Sequence, residues 1–266
     1  MNVIVCVKQV PDPEIPPSKF KIDLATKNVV PPAGVPPVIS VFDERAVEAA
    51  CRLKDKFKAK TWALSLGTPK AADVVKHALT MGVDEGVVVS DKVFENLDGF
   101  GTAFVLSQAI KKIGPFDVIL CGRQAADWDS GQVGSILGEM FGIPVVTIAR
   151  AITVVENRLR VERVLKDGYQ VVEVPTPCVV TVSNEIGLPR LPSGLALITA
   201  ARKKIPVWTA NDLQLDQAKV AAASGHTEIV NLVVPTREGR VEIIGGANTA
   251  DAAAKLAARL REANVV

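Results

Sequence analysis

Apolar residues along this chain follow two rhythms. Short β-rich runs such as Val3–Val7, Thr61–Leu66, Glu85–Val89 and Val118–Cys121 have the length and composition of buried strands. Between them, apolar residues recur three and four apart: Ala46, Val47, Ala50 and Leu53; then Ala72, Val75, Leu79 and Met81; then the stretch Gly101–Ile113; then Val133, Ile136, Leu137 and Met140. That spacing puts each set on one face of a helix. Strands alternating with helices in this way predict a three-layer α/β/α fold around a mostly parallel sheet.

The local signals agree with these elements. A helix is expected from Asp43, with Glu44 in its first turn; Pro69 suits a first helical position and Gly82 closes the helix before it. After Ile148 the style changes. Ala151–Glu156, Leu159–Leu165, Gln170–Val174 and Cys178–Val182 are separated by Asn157-Arg158, Lys166-Asp167-Gly168 and Pro175-Thr176-Pro177, which predicts an antiparallel β extension. Lys19–Val30 is expected to form a short hairpin between two proline tracts, Pro11–Pro17 and Pro31–Pro37. Residues 1–205 thus read as one core. Residues 206–266 read as a C-terminal arm, because their apolar residues are too sparse to build a core of their own.

The stretch with most chemistry is Phe116–Thr147. Strand, glycine loop, helix and strand follow one another there, so the loop lies at the carboxyl edge of the sheet, where open α/β sheets bind ligands. First-turn amides and the positive end of the helix dipole favour an anion, and a phosphate-bearing nucleotide is expected at Gly122–Gly134. Arg123 and Gln124 are placed to meet a phosphate or a base edge, and Asp127 or Asp129 a ribose or the helix cap. The loop is neither a Walker loop nor a GxGxxG fingerprint.

Composition narrows the function classes. A net charge of +2 gives no footprint for nucleic acid. No apolar run reaches the roughly 18 residues of a membrane span, and the N-terminus reads as a first strand, so a cytoplasmic location is expected. The four cysteines, Cys6, Cys51, Cys121 and Cys178, lack CxxC spacing, and His77 and His226 stand alone. No metal site and no nucleophilic catalyst are expected.

Five motifs together resemble the β (small) subunit of electron transfer flavoprotein. VKQVPD at Val7–Asp12, FDERAVEAACRLKD at Phe42–Asp55 and LTMGVDEG at Leu79–Gly86 match its first strand, first helix and a helix-to-strand turn. GRQAADWDSGQVG at Gly122–Gly134 is similar to its nucleotide loop, and VERVLKDGYQVVEVPTPCVVT at Val161–Thr181 to its signature, departing at Lys166 where an acidic residue is usual. The resemblance implies an electron carrier, not an enzyme in its own right, in a heterodimer with a larger α subunit. FAD would be shared with that subunit. Donors would be acyl-CoA dehydrogenase-type flavoproteins and the acceptor a quinone oxidoreductase. It also implies AMP, or alternatively a second FAD in an NADH-dependent bifurcating member, in a β-subunit pocket. Carried over by position, that pocket is Cys6, Ser40, Val41, Phe42, Asp43 and Leu66, with Gly122, Arg123, Gln124, Ala125, Ala126, Asp127, Trp128, Asp129, Ser130, Gly131, Gln132 and Val133. Ser40-Val41 stands where Asn-Pro is usual, and Trp128 where a small or acidic residue is common. The segment after the signature, Asn184–Ala201, resembles the family's docking loop, with Leu191 and Leu195 as rival anchors; the arm would pack on the α subunit.

Overall fold

A computed structural model describes residues 1–25, 27–30, 32–156, 158–234, 239 and 241–265. Pro31 of the second proline tract, Asn157 of the expected turn, and residues 235–238, 240 and 266 of the expected arm lie outside the described residues. The chain divides into two units, Met1–Asn231 and Leu232–Val266.

In the first unit β1 (Asn2–Cys6) leads to β2 (Gln9–Val10), the hairpin β3 (Lys21–Asp23) and β4 (Asn28–Val30), and β5 (Val38–Ile39). There follow α1 (Val41–Phe57), β6 (Lys60–Leu66), α2 (Ala72–Met81), β7 (Glu85–Val89), α3 (Gly99–Ile113), β8 (Val118–Gly122) and α4 (Val133–Phe141). Then come β9 (Val145–Val155), β10 (Arg158–Leu165), β11 (Gly168–Pro175), β12 (Cys178–Val182), α5 (Gly194–Arg202), β13 (Val207–Trp208) and α6 (Gln217–Ala222). Among the described residues the main sheet runs β11-β10-β9-β12-β8-β1-β6-β7-β13. From β9 to β13 its pairings are parallel; only β10 pairs antiparallel, with β9 and β11.

Alternate strand residues feed the two faces. Val3 and Val5 join Ala46, Val47 and Leu53 of α1 and Val74, Val75 and Ala78 of α2. Ile4 and Cys6 join Ala103, Leu106 and Ile110 of α3 and Leu137 of α4. The molecule has the three layers its alternation predicts. α1 starts at Val41, earlier than Asp43, with Asp43 and Glu44 in its first turn and Lys54 and Lys56 in its last, both signs complementing the helix dipole.

Two expectations are corrected. Val145–Ile148 and, of Ala151–Glu156, all but Glu156 belong to one strand, β9 (Val145–Val155), which pairs parallel with β12 at Val145, Val146 and Ala149 and antiparallel with β10 from Ala149 onward. The register with β12 shifts between Val146 and Ala149, across Ile148, which takes a left-handed φ of 60°, rare for a β-branched residue, with its N–H donating to Thr181 Oγ1 at 2.9 Å. The last strand of the expected extension, β12, is instead a core strand lying between β9 and β8, with Cys178, Val179, Val180 and Val182 fully buried. A strand buried on both faces has no alternation to separate it from its neighbours in sequence.

The expected arm also divides. Val207 and Trp208 form a strand beside β7, and Ala210, Leu213, Leu215 and Val220 are buried in the face carrying α3 and α4. The sparse apolar residues of 206–231 therefore complete the chain's own core. The second unit contains α7 (Thr249–Glu262), capped by Asn248, whose Oδ1 accepts from the Asp251 N–H at 2.9 Å. Arg259 pairs with Glu242 and Glu262.

Candidate nucleotide site and docking segment

Three chain segments meet beyond the carboxyl ends of β1 and β8, and Asp43 joins them. One of its oxygens accepts from the Lys8 N–H at 2.9 Å, the other from the Gly122 N–H at 2.9 Å. Gly122 is required by this contact: a Cβ there would stand 2.5 Å from Asp43 Oδ1 and 2.7 Å from Phe42 Cβ. Burial pushes the Asp43 carboxyl up to about 7, outweighing the two backbone N–H groups and the Lys8 ammonium, which pull it down. Just before α1, the buried hydroxyl of Ser40 accepts from the Ala126 N–H at 3.3 Å, and in its first turn the Phe42 ring lies 4.9 Å beneath the Arg123 guanidinium.

The loop's two carboxylates are already engaged. Asp127 pairs with Lys8 Nζ at 2.7 Å, and Asp129 accepts from Gln124 Nε2 at 2.8 Å. Neither caps the helix. Asp129 (φ 52°) and Gly131 (φ 61°) both take left-handed conformations, so the chain turns twice after Ala125 and α4 begins only at Val133. Its N-cap position, Gln132, makes no side-chain cap. The first amides of α4 thus lack both intrahelical and capping acceptors. Arg123 Nε, in the same loop, is buried without a partner among the described residues. An uncapped helix start and an unsatisfied guanidinium nitrogen both call for an anionic oxygen, so these residues fit a nucleotide phosphate.

The remaining expected residues are placed as follows. Ser40, Phe42, Asp43, Gly122, Arg123 and Ala126 are brought into direct contact. Val41 is half-buried at the start of α1 and Val133 at the start of α4, while Trp128, Ser130, Gly131 and Gln132 are exposed along the loop. Cys6 sits below the site beside Cys121, whose thiol is pushed up first by its hydrogen bond with Cys6 and then by burial. Leu66 ends β6 at the same sheet edge, with no contact to the loop among those described. Lys8 was not among the expected site residues. Its place in the VKQVPD motif is the one sequence signal that pointed near it, since its partner Asp127 is 119 residues away. No group of three or more His, Cys, Asp or Glu suited to a metal occurs among the described residues.

The second expected site lies after β12. Leu188, Leu191 and Leu195 are 80%, 93% and 75% exposed. A connector buried in the core would hide these side chains. Ser193 caps α5, its Oγ accepting from the Ala196 N–H at 3.2 Å, so Leu195 stands in the first turn of a formed helix. No helix among the described residues is long and apolar enough to cross a membrane.

A family model described as "Electron transfer flavoprotein domain" matches residues 28–213. The chain is 37% identical, over the full length of both, to an electron transfer flavoprotein subunit beta of Thermoanaerobacterium thermosaccharolyticum. It is 32% identical, again over both full lengths, to the caffeyl-CoA reductase-Etf complex subunit CarD of Acetobacterium woodii. Over 68% of this chain and 67% of the other, it is 38% identical to the acryloyl-CoA reductase electron transfer subunit gamma of Anaerotignum propionicum.

Proposed function

Because the chain belongs to the electron transfer flavoprotein β-subunit family, we propose that it is the small subunit of an αβ heterodimer that carries electrons between flavoproteins. In this reading FAD is shared with the α subunit and supplies the electron chemistry when bound. Donors are acyl-CoA dehydrogenase-type flavoproteins, in keeping with relatives named for caffeyl-CoA and acryloyl-CoA reductases, and the acceptor is a quinone oxidoreductase. The complex works in the cytoplasm, where the free thiols of Cys6, Cys51, Cys121 and Cys178 stay reduced.

The observation that carries the nucleotide part of the reading is the junction built on Asp43. It fixes the ends of β1 and β8 and the start of α1 around a loop whose free hydrogen-bonding capacity is cationic. Arg123 and the first amides of α4 would hold the phosphate of one AMP, with Phe42 supporting the guanidinium from below. Lys8 and Gln124 engage the two loop carboxylates, Asp127 and Asp129, which would otherwise oppose that phosphate.

A second reading, a second FAD in place of AMP, is favoured by the reductase-complex relatives and by Trp128, a half-exposed aromatic on the loop available to stack on a flat ring. Acid extraction of the purified heterodimer distinguishes the two. One FAD and one AMP per heterodimer is the expected result. Two FAD select the second reading, and a colourless complex without adenine nucleotide overturns both.

A further inference from the structure

Two glycines, Gly99 and Gly101, lie in the first turn of α3, although glycine is a poor helix former. Two positions apart on a helix of about 3.6 residues per turn, they face nearly opposite sides, and each leaves room for a different neighbour. A Cβ at Gly99 would stand 2.8 Å from Gln132 Oε1 and 3.5 Å from Gln132 Cβ, so the end of the nucleotide loop lies against one side of this turn. A Cβ at Gly101 would stand 2.6 Å from Ser224 Cβ and 3.2 Å from the Ala223 carbonyl oxygen, so the chain leaving α6 lies against the other.

Asp98 fastens this arrangement. Its Oδ1 caps α3 by accepting from the Gly101 N–H at 2.8 Å. Its Oδ2 accepts from the N–H groups of His226 and Thr227 at 2.6 and 3.3 Å. Burial pushes the Asp98 carboxyl up, but these three backbone N–H groups outweigh it and hold the group below its usual value. The His226 ring packs edge-on against Phe100, with centroids 5.0 Å apart. Farther on, Lys27 Nζ of the β3–β4 hairpin holds the Ile229 carbonyl at 2.5 Å, so residues 224–229 are tied down at both ends. What this secures is Gln132. It stands at the N-cap position of α4, next to the amides left free for a phosphate, and its own side chain makes no cap. A side chain resting on α3 at that position sets how α4 begins, and the first turn of α3 serves as a rest only while it is itself held from the far side.

We propose that Asp98 is a positioning residue of the nucleotide site: by pinning residues 224–227 against the far side of α3, it holds the first turn of that helix against Gln132 and so fixes the amides of α4 that receive the phosphate. The inference rests on the nucleotide reading of the loop. It adds to that site a wall, the first turn of α3, that lies outside every segment of the pocket carried over by position.

The test uses the FAD-loaded heterodimer with AMP as probe, reading the rate at which bound AMP exchanges with labelled AMP, the FAD content and the melting temperature. Asp98→Asn keeps an oxygen for the Gly101 cap but puts a donor in place of the second acceptor, so it cuts the pin alone. It is expected to speed exchange about three- to tenfold with FAD content unchanged. Gly99→Ala pushes the Gln132 side chain aside and leaves the pin intact. It is expected to speed exchange to a similar degree while the melting temperature holds or rises, alanine being the better helix former. Asp91→Asn is the matched control. Asp91 caps the short turn after β7 through the Val93 N–H and pins the Ala210 N–H in the same way, with no contact to the nucleotide loop among the described residues. It is expected to leave exchange within about twofold of the parent. Exchange at the parental rate in either Asp98→Asn or Gly99→Ala overturns the inference while the nucleotide reading stands. Equal acceleration by Asp91→Asn at an equal loss of melting temperature also overturns it, since the effect is then general loosening. A parent heterodimer that holds no AMP overturns the AMP reading, and the inference falls with it. Should Asp98→Asn fail to fold, Gly99→Ala against the parent carries the test.

Discussion

Asp43 sits on α1 yet sets the geometry of two other segments, and its burial makes that role sensitive to pH. Its carboxyl is raised from 3.8 to about 7, chiefly by burial. A carboxyl with a folded pKa above its unfolded one binds a proton more readily in the folded state between those two values. Stability from this group is therefore greatest at acid pH and falls as pH rises from about 4 to about 7, by on the order of a few kcal/mol. Glu48 has the opposite sign: burial pushes its carboxyl up, but the hydrogen bonds from Arg190 and Arg52 together outweigh this and hold it below its usual value. Its contribution is present above the usual glutamate range and is lost as pH falls through the lowered value. The melting temperature of the parent is thus expected to decline between pH 5 and 8 relative to that of Asp43→Asn, whose side chain cannot ionise. A parent-minus-variant difference that stays flat across this range would show that Asp43 is ionised throughout. Gly131 tests the loop itself. Gly131→Val places a β-branched residue at φ 61° with its Cβ 3.2 Å from the Arg123 carbonyl oxygen, in the turn that aims α4. Nucleotide content of the purified heterodimer is expected to drop severalfold, at a stability cost of about 1–3 kcal/mol. Full nucleotide content in that variant would move the phosphate elsewhere.

Among the elements, the most informative are β12 and β13, which both join the sheet out of sequence order. β12 separates β8 from β9, so the βαβ unit read from Phe116–Thr147 is a real succession of elements whose two strands are not neighbours. β13 adds to the β7 edge and brings Ala210, Leu213, Leu215 and Val220 under cover. Burying each of the leucines and the valine contributes about 1.5–3 kcal/mol. A chain ending at Lys204 is accordingly expected to lose most of its stability, whereas one ending at Asn231 keeps every residue of the first unit and melts within a few degrees of the full chain. Equal melting of the two truncations would refute a core role for 205–231.

The whole molecule is a core that completes itself plus a second unit whose apolar side chains are largely exposed: Val233, Val241, Ile243 and Leu256 are 65%, 87%, 91% and 47% exposed. Exposed apolar groups in such numbers suit burial against another polypeptide, so the arm proposed to pack on the α subunit narrows from 206–266 to 232–266. Deleting 232–266 is expected to leave a folded chain that no longer co-purifies with the α subunit or retains FAD. Co-purification at parental yield, read on a size-exclusion column, would place the interface on the first unit instead.

The layers, the parallel sheet, the helix positions and the loop with the most chemistry were all legible in the sequence, because periodicity records which side of an element is buried and glycine records where the backbone must turn. The family motifs added the likeness to known electron carriers and the residues of the proposed pocket. Neither says which strands are neighbours. The place of β12, the register shift of β9 across Ile148 and the return of Val207–Val220 to the core follow from how the elements fill space around one another. The same holds for the contacts that hold the two sites. Lys8 meets Asp127 across 119 positions and Arg190 meets Glu48 across 142, and no local pattern marks one charged residue as the partner of another so far away. Sequence determined which residues are apolar, which turn and which carry charge; only the tertiary structure decided which charges meet, because that depends on distances set by packing.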